Sequence, residues 1–306
     1  MAPDESFYRD AGDGRYESTP ATAGPWSPEA QHAGPPSALL GRAMERHEPR
    51  EGFRVARVTL EIPAPVPVGD LLVRVRTVRG GRRTELLEGE ITANGRPVML
   101  ARAWRTAAAP PDTPALRHDP PPPALPEPQP EHGFKGAYTD GYVSAMEWRF
   151  ASGGGFDTPG PGTAWARQRI PLVAGEEDTP LTRALTLADS NWAVGFELDH
   201  VNGLVINTDV TLALHRDPVG EWLCLTSSTA AAPAGSGLAE GRLDDASGNC
   251  GRILQTLLIA PADPPPRPHH PHHRPARITY HRLTCPRPPL HGRPRLRSSG
   301  DRAPLS

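Results

Sequence analysis

Apolar positions in the first half of the chain predict one helix followed by four strands. Apolar residues from Leu39 to Met44 recur at helical spacing just after a Gly-Pro-Pro segment, which predicts a helix over 37–48. The runs that follow are rich in Val, Leu and Ile, and glycine turns at 80–81 and 94–95 mark hairpins between them. These strands are predicted over 53–62, 70–78, 84–93 and 96–106.

The second half repeats this order behind two additional strands. Thr179-Pro180 opens a predicted helix over 179–192, because proline is favoured in the first turn of a helix. Each half is therefore predicted to be a long helix wrapped by an antiparallel meander, which places the chain in the α+β class. The strands of this half are predicted over 145–152, 163–170, 204–215, 221–229, 237–245 and 250–260.

A short internal repeat supports the division into two similar halves. Val-Thr-Leu at 58–60 precedes Pro-Val-Gly-Asp at 67–70, and the same tripeptide at 210–212 precedes Pro-Val-Gly-Glu at 218–221. The hairpin glycines Gly95 and Gly248 follow Gly69 and Gly220 at nearly the same distance along the sequence. Because all three features keep their order on the same predicted elements, we infer a duplication in which each half is one copy of a single fold.

Proline-rich composition sets the domain boundaries. The chain has 306 residues, 39 of them Pro, and a length of this size allows two domains with separate cores. We predict an N-terminal domain over 1–106, a Pro-rich linker over 107–133 and a C-terminal domain over 134–262. The remaining 263–306 are rich in Pro, His and Arg without apolar periodicity, which predicts a disordered tail.

Charge and cysteine content exclude several classes of function. The formal net charge is -2, so we expect neither a nucleic-acid binder nor a binder of membrane surfaces. Three cysteines without metal-ligand spacing predict neither a disulfide framework nor a zinc site, and metal binding by the His-rich tail would be adventitious. With no long apolar run, the protein is expected to be cytoplasmic and not inserted in a membrane.

Two groups of residues carry a resemblance to a known family. Gln31-His32-Ala33-Gly34-Pro35-Pro36 opens the first helix, and polar residues lie on successive strands of the second half. Together with the segments at 218–222 and 255–260, this pattern resembles the double-hotdog acyl-CoA thioesterases of the bacterial type II kind, over about residues 12–260. One departure is Ala33, which stands where the family commonly has a glycine after the histidine. The polar residues on successive strands are Asp209, Thr229 and Gln255.

The resemblance implies hydrolysis of an acyl-CoA thioester by an activated water, without metal or redox cofactor. In the family an Asp, a hydroxyl residue and a Gln hold this water, and Asp209, Thr229 and Gln255 are the positions that match. A carboxylate can accept a proton from water while hydroxyl and amide groups orient it. Backbone N–H groups near Gly34 or Ser190 are expected to stabilise the negative thioester oxygen. His32 and Asp189 complete the residues expected to contact substrate.

The repeat predicts a single active site in each chain. Aligning the two copies places Arg57 opposite Asp209 and Arg102 opposite Gln255, so only the second copy keeps the polar set. The first copy is then free to form a wall of the acyl pocket. Assembly of the chain into a homo-oligomer through its sheets is a further expectation.

Structural roles remain open for each candidate residue. Asp209 could cap a bulge or pair with an arginine, and Ser228 could replace Thr229 as the matching hydroxyl. His32 could bond loop backbone at the helix entry, and Asp189 could face the pocket or serve a local turn. Gln255 interrupts an apolar run, and a buried amide needs partners whatever its role.

Other classes of function compete with hydrolysis. The chain lacks a GxSxG nucleophile elbow and lacks glycine-rich nucleotide motifs after a strand, which argues against α/β-hydrolase and nucleotide chemistry. A non-catalytic acyl-CoA or lipid-binding protein would keep the same pocket and use the polar residues only in packing. A dehydratase or hydratase would need a catalytic histidine and acid, for which His32 is the candidate.

Overall fold

The computed structural model describes residues 6–110, 112–116, 119–153, 155–197 and 203–261. The tail predicted to be disordered lies outside the described residues. Within the described part of the chain, no helix is both long and apolar enough to span a bilayer.

Among the described residues, the first half contains one α-helix, a short 3-10 helix at Pro20–Thr22 and six strands. The predicted helix and the four predicted strands are confirmed within a few residues at each end. The sequence pattern did not predict the hairpin of two short strands that precedes them. The elements are β1 (Tyr8–Gly12), β2 (Arg15–Ser18), α1 (Gly34–Arg46), β3 (Phe53–Glu61), β4 (Asp70–Arg79), β5 (Thr84–Ala93) and β6 (Arg96–Ala107).

The described residues of the second half form three short helices and seven strands. The helix α2 was not predicted, and two predicted elements are each divided into two. The elements are α2 (Tyr142–Ala145), β7 (Met146–Ser152), β8 (Gly162–Gln168), α3 (Pro180–Ala188), α4 (Asn191–Val194), β9 (Gly203–Asn207), β10 (Asp209–Leu214), β11 (Leu223–Ala231), β12 (Ser236–Asp245) and β13 (Gly248–Pro261).

All thirteen strands belong to one antiparallel sheet. Its order is β1-β2-β4-β5-β6-β3-β10-β13-β12-β11-β8-β7, and β9 pairs with the end of β13. The two halves meet where β3 pairs with β10, and Thr59 lies opposite Thr211 with their hydroxyl oxygens 3.1 Å apart. These two threonines are the equivalent residues of the sequence repeat. The two copies of the repeat thus meet at equivalent residues of β3 and β10.

Helices α1 and α3 run antiparallel against one face of this sheet. Near one end of the pair, the backbone of Gly34 approaches the carbonyl oxygen of Thr186. Near the other end, the Thr179 hydroxyl donates to the Glu45 carboxylate at 2.7 Å. Their apolar faces join the fully buried side chains of the core, among them Leu39. The start of α1 therefore lies beside the end of α3.

The predicted helix over 179–192 breaks at Asp189 and Ser190. Helix α3 ends at Ala188, the Ser190 N–H bonds the carbonyl of Leu187 at 2.9 Å, and α4 begins at Asn191. The break turns the backbone just where the C-terminus of α3 meets the N-terminus of α1. Asp189 therefore lies between the end of α3 and the start of α1.

The predicted strand over 204–215 breaks at Thr208. The Thr208 N–H donates to the carbonyl of Thr256 at 3.0 Å, and the Asp209 carboxylate accepts the Thr256 N–H at 2.9 Å. Both backbone groups of Thr256 are thereby satisfied while the chain passes from one segment to the next. As a result β9 and β10 pair with different parts of β13.

The Pro-rich segment between the halves covers the outer edge of the sheet. Its described residues after 107 form no helix or strand before α2. The side-chain amide of Gln129 donates to the carbonyl of Phe150 at 2.9 Å and accepts its N–H at 2.8 Å, as a neighbouring strand would. The indole of Trp165 donates to the carbonyl of Pro123 at 3.2 Å. The edge strand β7 is thus protected from pairing with another chain.

Candidate active site

Asp189 is the centre of a buried polar cluster formed by both halves. Its side chain is 4% exposed, and its Oδ1 accepts from Asn207 Nδ2 at 2.6 Å and from Gln255 Nε2 at 3.3 Å. Its Oδ2 lies 3.2 Å from His32 Nδ1. The backbone N–H groups of Ala33 and Gly34, at the start of α1, lower the pKa of this carboxyl group. The carboxylate is therefore oriented from three directions.

Gln255 is locked by its own hydrogen bonds. It lies on β13 with no solvent exposure, and its Oε1 accepts the backbone N–H of Trp192 at 3.0 Å. Because that oxygen is already bonded to a donor, the Nε2 group must point toward Asp189, where it donates to the carbonyl oxygen at 3.2 Å and to Oδ1. The prediction that this buried amide has partners is confirmed.

Asn207 belongs to the cluster although the sequence pattern does not single it out. It is the last residue of β9, directly before the break at Thr208, and its side-chain amide reaches the Asp189 carboxylate. Its position opposite Leu257 places it on the same face of the sheet as Gln255. The available signal is an asparagine directly after the apolar residues Leu204–Ile206.

Burial moves the pKa values of Asp189 and His32 in opposite directions. Loss of solvent raises the pKa of Asp189 to about 7, although the Asn207 amide and the backbone donors of α1 work against this rise. Burial lowers the pKa of His32 to about 3. At neutral pH the imidazole is therefore uncharged, and Asp189 is divided between its acid and its carboxylate.

The contact between His32 and Asp189 depends on a proton. Nδ1 of His32 accepts the N–H of Gly34 at 3.1 Å, so this nitrogen carries a lone pair and the ring proton is on Nε2. That lone pair faces Asp189 Oδ2. The contact is attractive when Oδ2 is protonated and repulsive when it is not. This arrangement agrees with the raised pKa of the carboxyl group.

The His32 ring is fixed by stacking. It lies parallel to the Tyr142 ring, with centroids 3.7 Å apart and an interplanar angle of 9°. The Tyr142 hydroxyl is within 2.9 Å of both the Thr186 carbonyl and the Ser190 hydroxyl.

The two backbone amides expected to stabilise the thioester oxygen already have acceptors. The Gly34 N–H donates to His32 Nδ1, and the Ser190 N–H donates to the carbonyl of Leu187.

The structure does not bring Asp209 to this cluster. Successive residues of a strand face opposite sides of the sheet. Val210 is fully buried on the side of Gln255, whereas Asp209 lies on the other side and bonds the backbone of exposed Thr256. The prediction that Asp209 and Gln255 meet around a water is therefore corrected, because the sheet separates the two side chains.

Thr229 lies on the same face of the sheet as Gln255 but two strands away from it, and it is not among the partners of Gln255. It pairs with Ala239, which pairs with Gln255 on the next strand. Two strand spacings separate the two backbones by about 10 Å. The Thr229 hydroxyl has no hydrogen-bond partner among the described residues, and Ser228 is exposed on the opposite face. The expected convergence of Asp209, Thr229 and Gln255 is thus replaced by that of Asp189, Asn207 and Gln255.

Gly34 provides a test of how tightly the two helices must approach at this site. A Cβ atom on Gly34 would lie 2.2 Å from the Thr186 backbone oxygen, so we expect Gly34→Ala to force the helices apart and lower the free energy of unfolding by about 1–3 kcal/mol. Gly80→Ala is the control, because no atom lies within 4 Å of its Cβ position. Urea denaturation measures both. Equal stabilities of the two variants would contradict the close approach.

Metal chemistry has no evident ligands in the described part of the chain. No group of three or more His, Cys, Asp or Glu residues is placed there to hold an ion. Cys224 and Cys250 are buried, and burial raises the pKa of each thiol to about 12.

Comparison with family models matches nearly all of both halves. Residues 22–106 match the model of an acyl-CoA thioesterase N-terminal domain, and residues 117–259 match that of an acyl-CoA thioesterase C-terminal domain. A search among curated proteins finds no match.

Solved structures share the fold at low sequence identity. An acyl-CoA thioesterase II, TesB2, from Mycobacterium marinum matches with a TM-score of 0.59 and 15% identity, over 85% of this chain and 97% of that one. The tesB protein of Mycobacterium avium subspecies paratuberculosis has a TM-score of 0.61 and 15% identity, over 83% and 96%. A protein from Alicyclobacillus acidocaldarius, described as having a hot dog fold, has a TM-score of 0.62 and 16% identity, over 84% and 96%. The large antiparallel sheet with few helices is thus a hotdog fold.

Proposed function

Because the chain belongs to the double-hotdog acyl-CoA thioesterase family, we propose that it hydrolyses acyl-CoA to a free acid and CoA, with Asp189 activating the water. The observation that supports this role is the convergence of Asn207 and Gln255 on a buried carboxyl group whose pKa is raised to about 7. A general base is most effective when its pKa lies near the working pH.

The proposed architecture assigns different tasks to the two halves. Each half is one hotdog, over 1–106 and 134–262, joined by the linker over 107–133. The first half supplies His32 and the backbone donors of α1, and the second supplies the carboxylate and both amides. The β3–β10 pairing and the sequence repeat support the arrangement as a double hotdog.

In the proposed reaction, ionised Asp189 takes a proton from water as the water oxygen attacks the thioester carbonyl carbon. The tetrahedral intermediate collapses with cleavage of the carbon–sulfur bond, and the proton held by Asp189 passes to the departing CoA thiolate. Asn207 and Gln255 hold the carboxylate in position through both protonation states. Neutral His32 accepts a hydrogen bond from the protonated acid, which stabilises the form produced by the first step.

A second candidate is a non-catalytic protein that binds acyl-CoA. One observation favours it: His32, Asp189 and Gln255 are all nearly inaccessible to solvent. A sealed polar cluster of this kind would also serve to hold α1, α3 and β13 together. In that case the raised pKa of Asp189 would reflect burial without chemistry.

Release of CoA thiol distinguishes the two candidates. The purified chain is mixed with acyl-CoAs from acetyl to palmitoyl, and free thiol is followed with a chromogenic disulfide. We expect turnover on at least one chain length, above the rate without protein. Binding of acyl-CoA without turnover on any chain length would contradict hydrolysis and support the second candidate.

A further inference from the structure

Aromatic rings fill the space beside the polar cluster. A cavity of about 10 Å³ lies there, and its lining includes His32, Ser190, Val143 and Trp148. This volume has room for about one water molecule. An acyl chain extending from a thioester at Asp189 in this direction meets aromatic side chains almost at once.

A larger cavity lies behind this aromatic wall. Its volume is about 110 Å³, and Val143 and Trp148 line it as well, together with Arg169 and other polar residues. The two cavities therefore share a partition. Removal of one of the shared side chains would join them into a single space that begins at the polar cluster.

Trp148 is the larger and more firmly held part of the partition. The side chain is almost fully buried, and its indole N–H donates to the carbonyl of Val143 at 3.3 Å. Its ring meets the Phe156 ring edge-on, with centroids 5.0 Å apart, and the Tyr142 ring at 6.5 Å. Contacts on several sides fix the indole, so it acts as a wall and not as a mobile side chain.

From this geometry we infer that Trp148 determines acyl-chain length and limits the protein to short acyl groups. This inference rests on the proposed function, because it places the acyl group beside His32 and Asp189. Short acyl groups need little space beyond the thioester, whereas each further methylene must displace an aromatic ring. Only long acyl chains are therefore disfavoured by unfavourable packing.

Trp148→Ala tests this role, with Trp165→Ala as a matched control. Trp165 is a buried tryptophan on the adjacent strand, but it pairs with Arg149, the neighbour of Trp148, and so faces the linker side of the sheet. Both variants lose one buried indole. Only the first opens the partition between the two cavities.

The measured quantity is kcat/KM for butyryl-CoA and for octanoyl-CoA. Burial of each additional methylene contributes about fourfold to binding. We expect the parent to favour butyryl-CoA, and Trp148→Ala to raise the octanoyl-to-butyryl ratio at least about tenfold. Trp165→Ala should keep the parental ratio. A parent that prefers octanoyl-CoA, or equal ratios in the two variants, would overturn the inference.

Binding of unreactive thioethers separates this inference from the proposed hydrolysis. S-butyl-CoA and S-octyl-CoA carry the same chains without a cleavable bond, and isothermal titration calorimetry gives their affinities. If no variant shows turnover, the hydrolysis proposal fails, and the inference is judged on binding alone. The same tenfold change in the affinity ratio upon Trp148→Ala would support the role of Trp148, and an unchanged ratio would contradict it.

Discussion

Asp189→Asn should lower kcat/KM for acyl-CoA hydrolysis by about 10²- to 10⁴-fold, the contribution typical of a positioned general base. The asparagine side chain has nearly the same shape, so the surrounding helices need not move. It cannot take a proton from water, however. Its amide oxygen can accept from Asn207 and Gln255, and its amide N–H can donate to His32, as the protonated acid does, so the loss of activity would report the missing base.

Asp209→Asn is the matched control for this experiment. Asp209 accepts the Thr256 N–H through one oxygen, which the amide oxygen of asparagine can replace. Its side chain lies across the sheet from Gln255, so we expect near-parental kcat/KM. Melting curves establish that both variants are folded. Loss of activity in Asp209→Asn, with activity kept in Asp189→Asn, would reverse our assignment of the base.

The hydrolysis rate should depend on pH through Asp189. We expect kcat/KM to rise about tenfold per pH unit at acidic pH and to level off above about pH 7, because only the ionised carboxyl group accepts a proton from water. His32 remains neutral across this range since its pKa is lowered to about 3. At pH 5 the rate should therefore be about a hundredfold below the plateau. A flat profile between pH 5 and 8 would exclude this base.

Stability should change with pH in the opposite sense. The folded pKa of Asp189 is about 7, above its ordinary value of 3.8, so folding favours the protonated form. That contribution is fully present below about pH 4 and is lost as the pH rises through 7. The melting temperature of the parent should consequently fall relative to that of Asp189→Asn over this range. Parallel curves would show that the carboxyl group titrates normally.

The strands and turns were predicted well because local pattern determines them. The strands from β3 to β6 alternate or continue apolar residues between glycine turns, and their ends match the predictions within two residues. The hairpin of β1 and β2 was missed because it is short and mostly exposed. Its stability comes from pairing with β4, a contact between distant parts of the chain.

Most residues of the candidate site could be predicted from the sequence, but the residue that supplies the base could not. His32, Gly34, Asp189, Ser190 and Gln255 were all selected, and the structure brings them close together. The carboxylate was assigned to Asp209 because it lies on a strand near the turn at 218–221. A shift of one residue along a strand moves a side chain to the other face. The break at Thr208 decides which residues face inward, and it depends on pairing with Thr256 that no local pattern reveals.

The pairing of Thr59 with Thr211 has a consequence for how assembly of the site depends on protein concentration. His32 belongs to one half of the sheet and Asp189 to the other, so two separate polypeptides would complete the cluster only after they met in solution. The fraction of polypeptides with a complete cluster would then follow mass action and fall on dilution. A covalent connection makes that encounter intramolecular, at an effective concentration set by the linker alone. The fused chain thus keeps its cluster assembled however scarce the protein becomes.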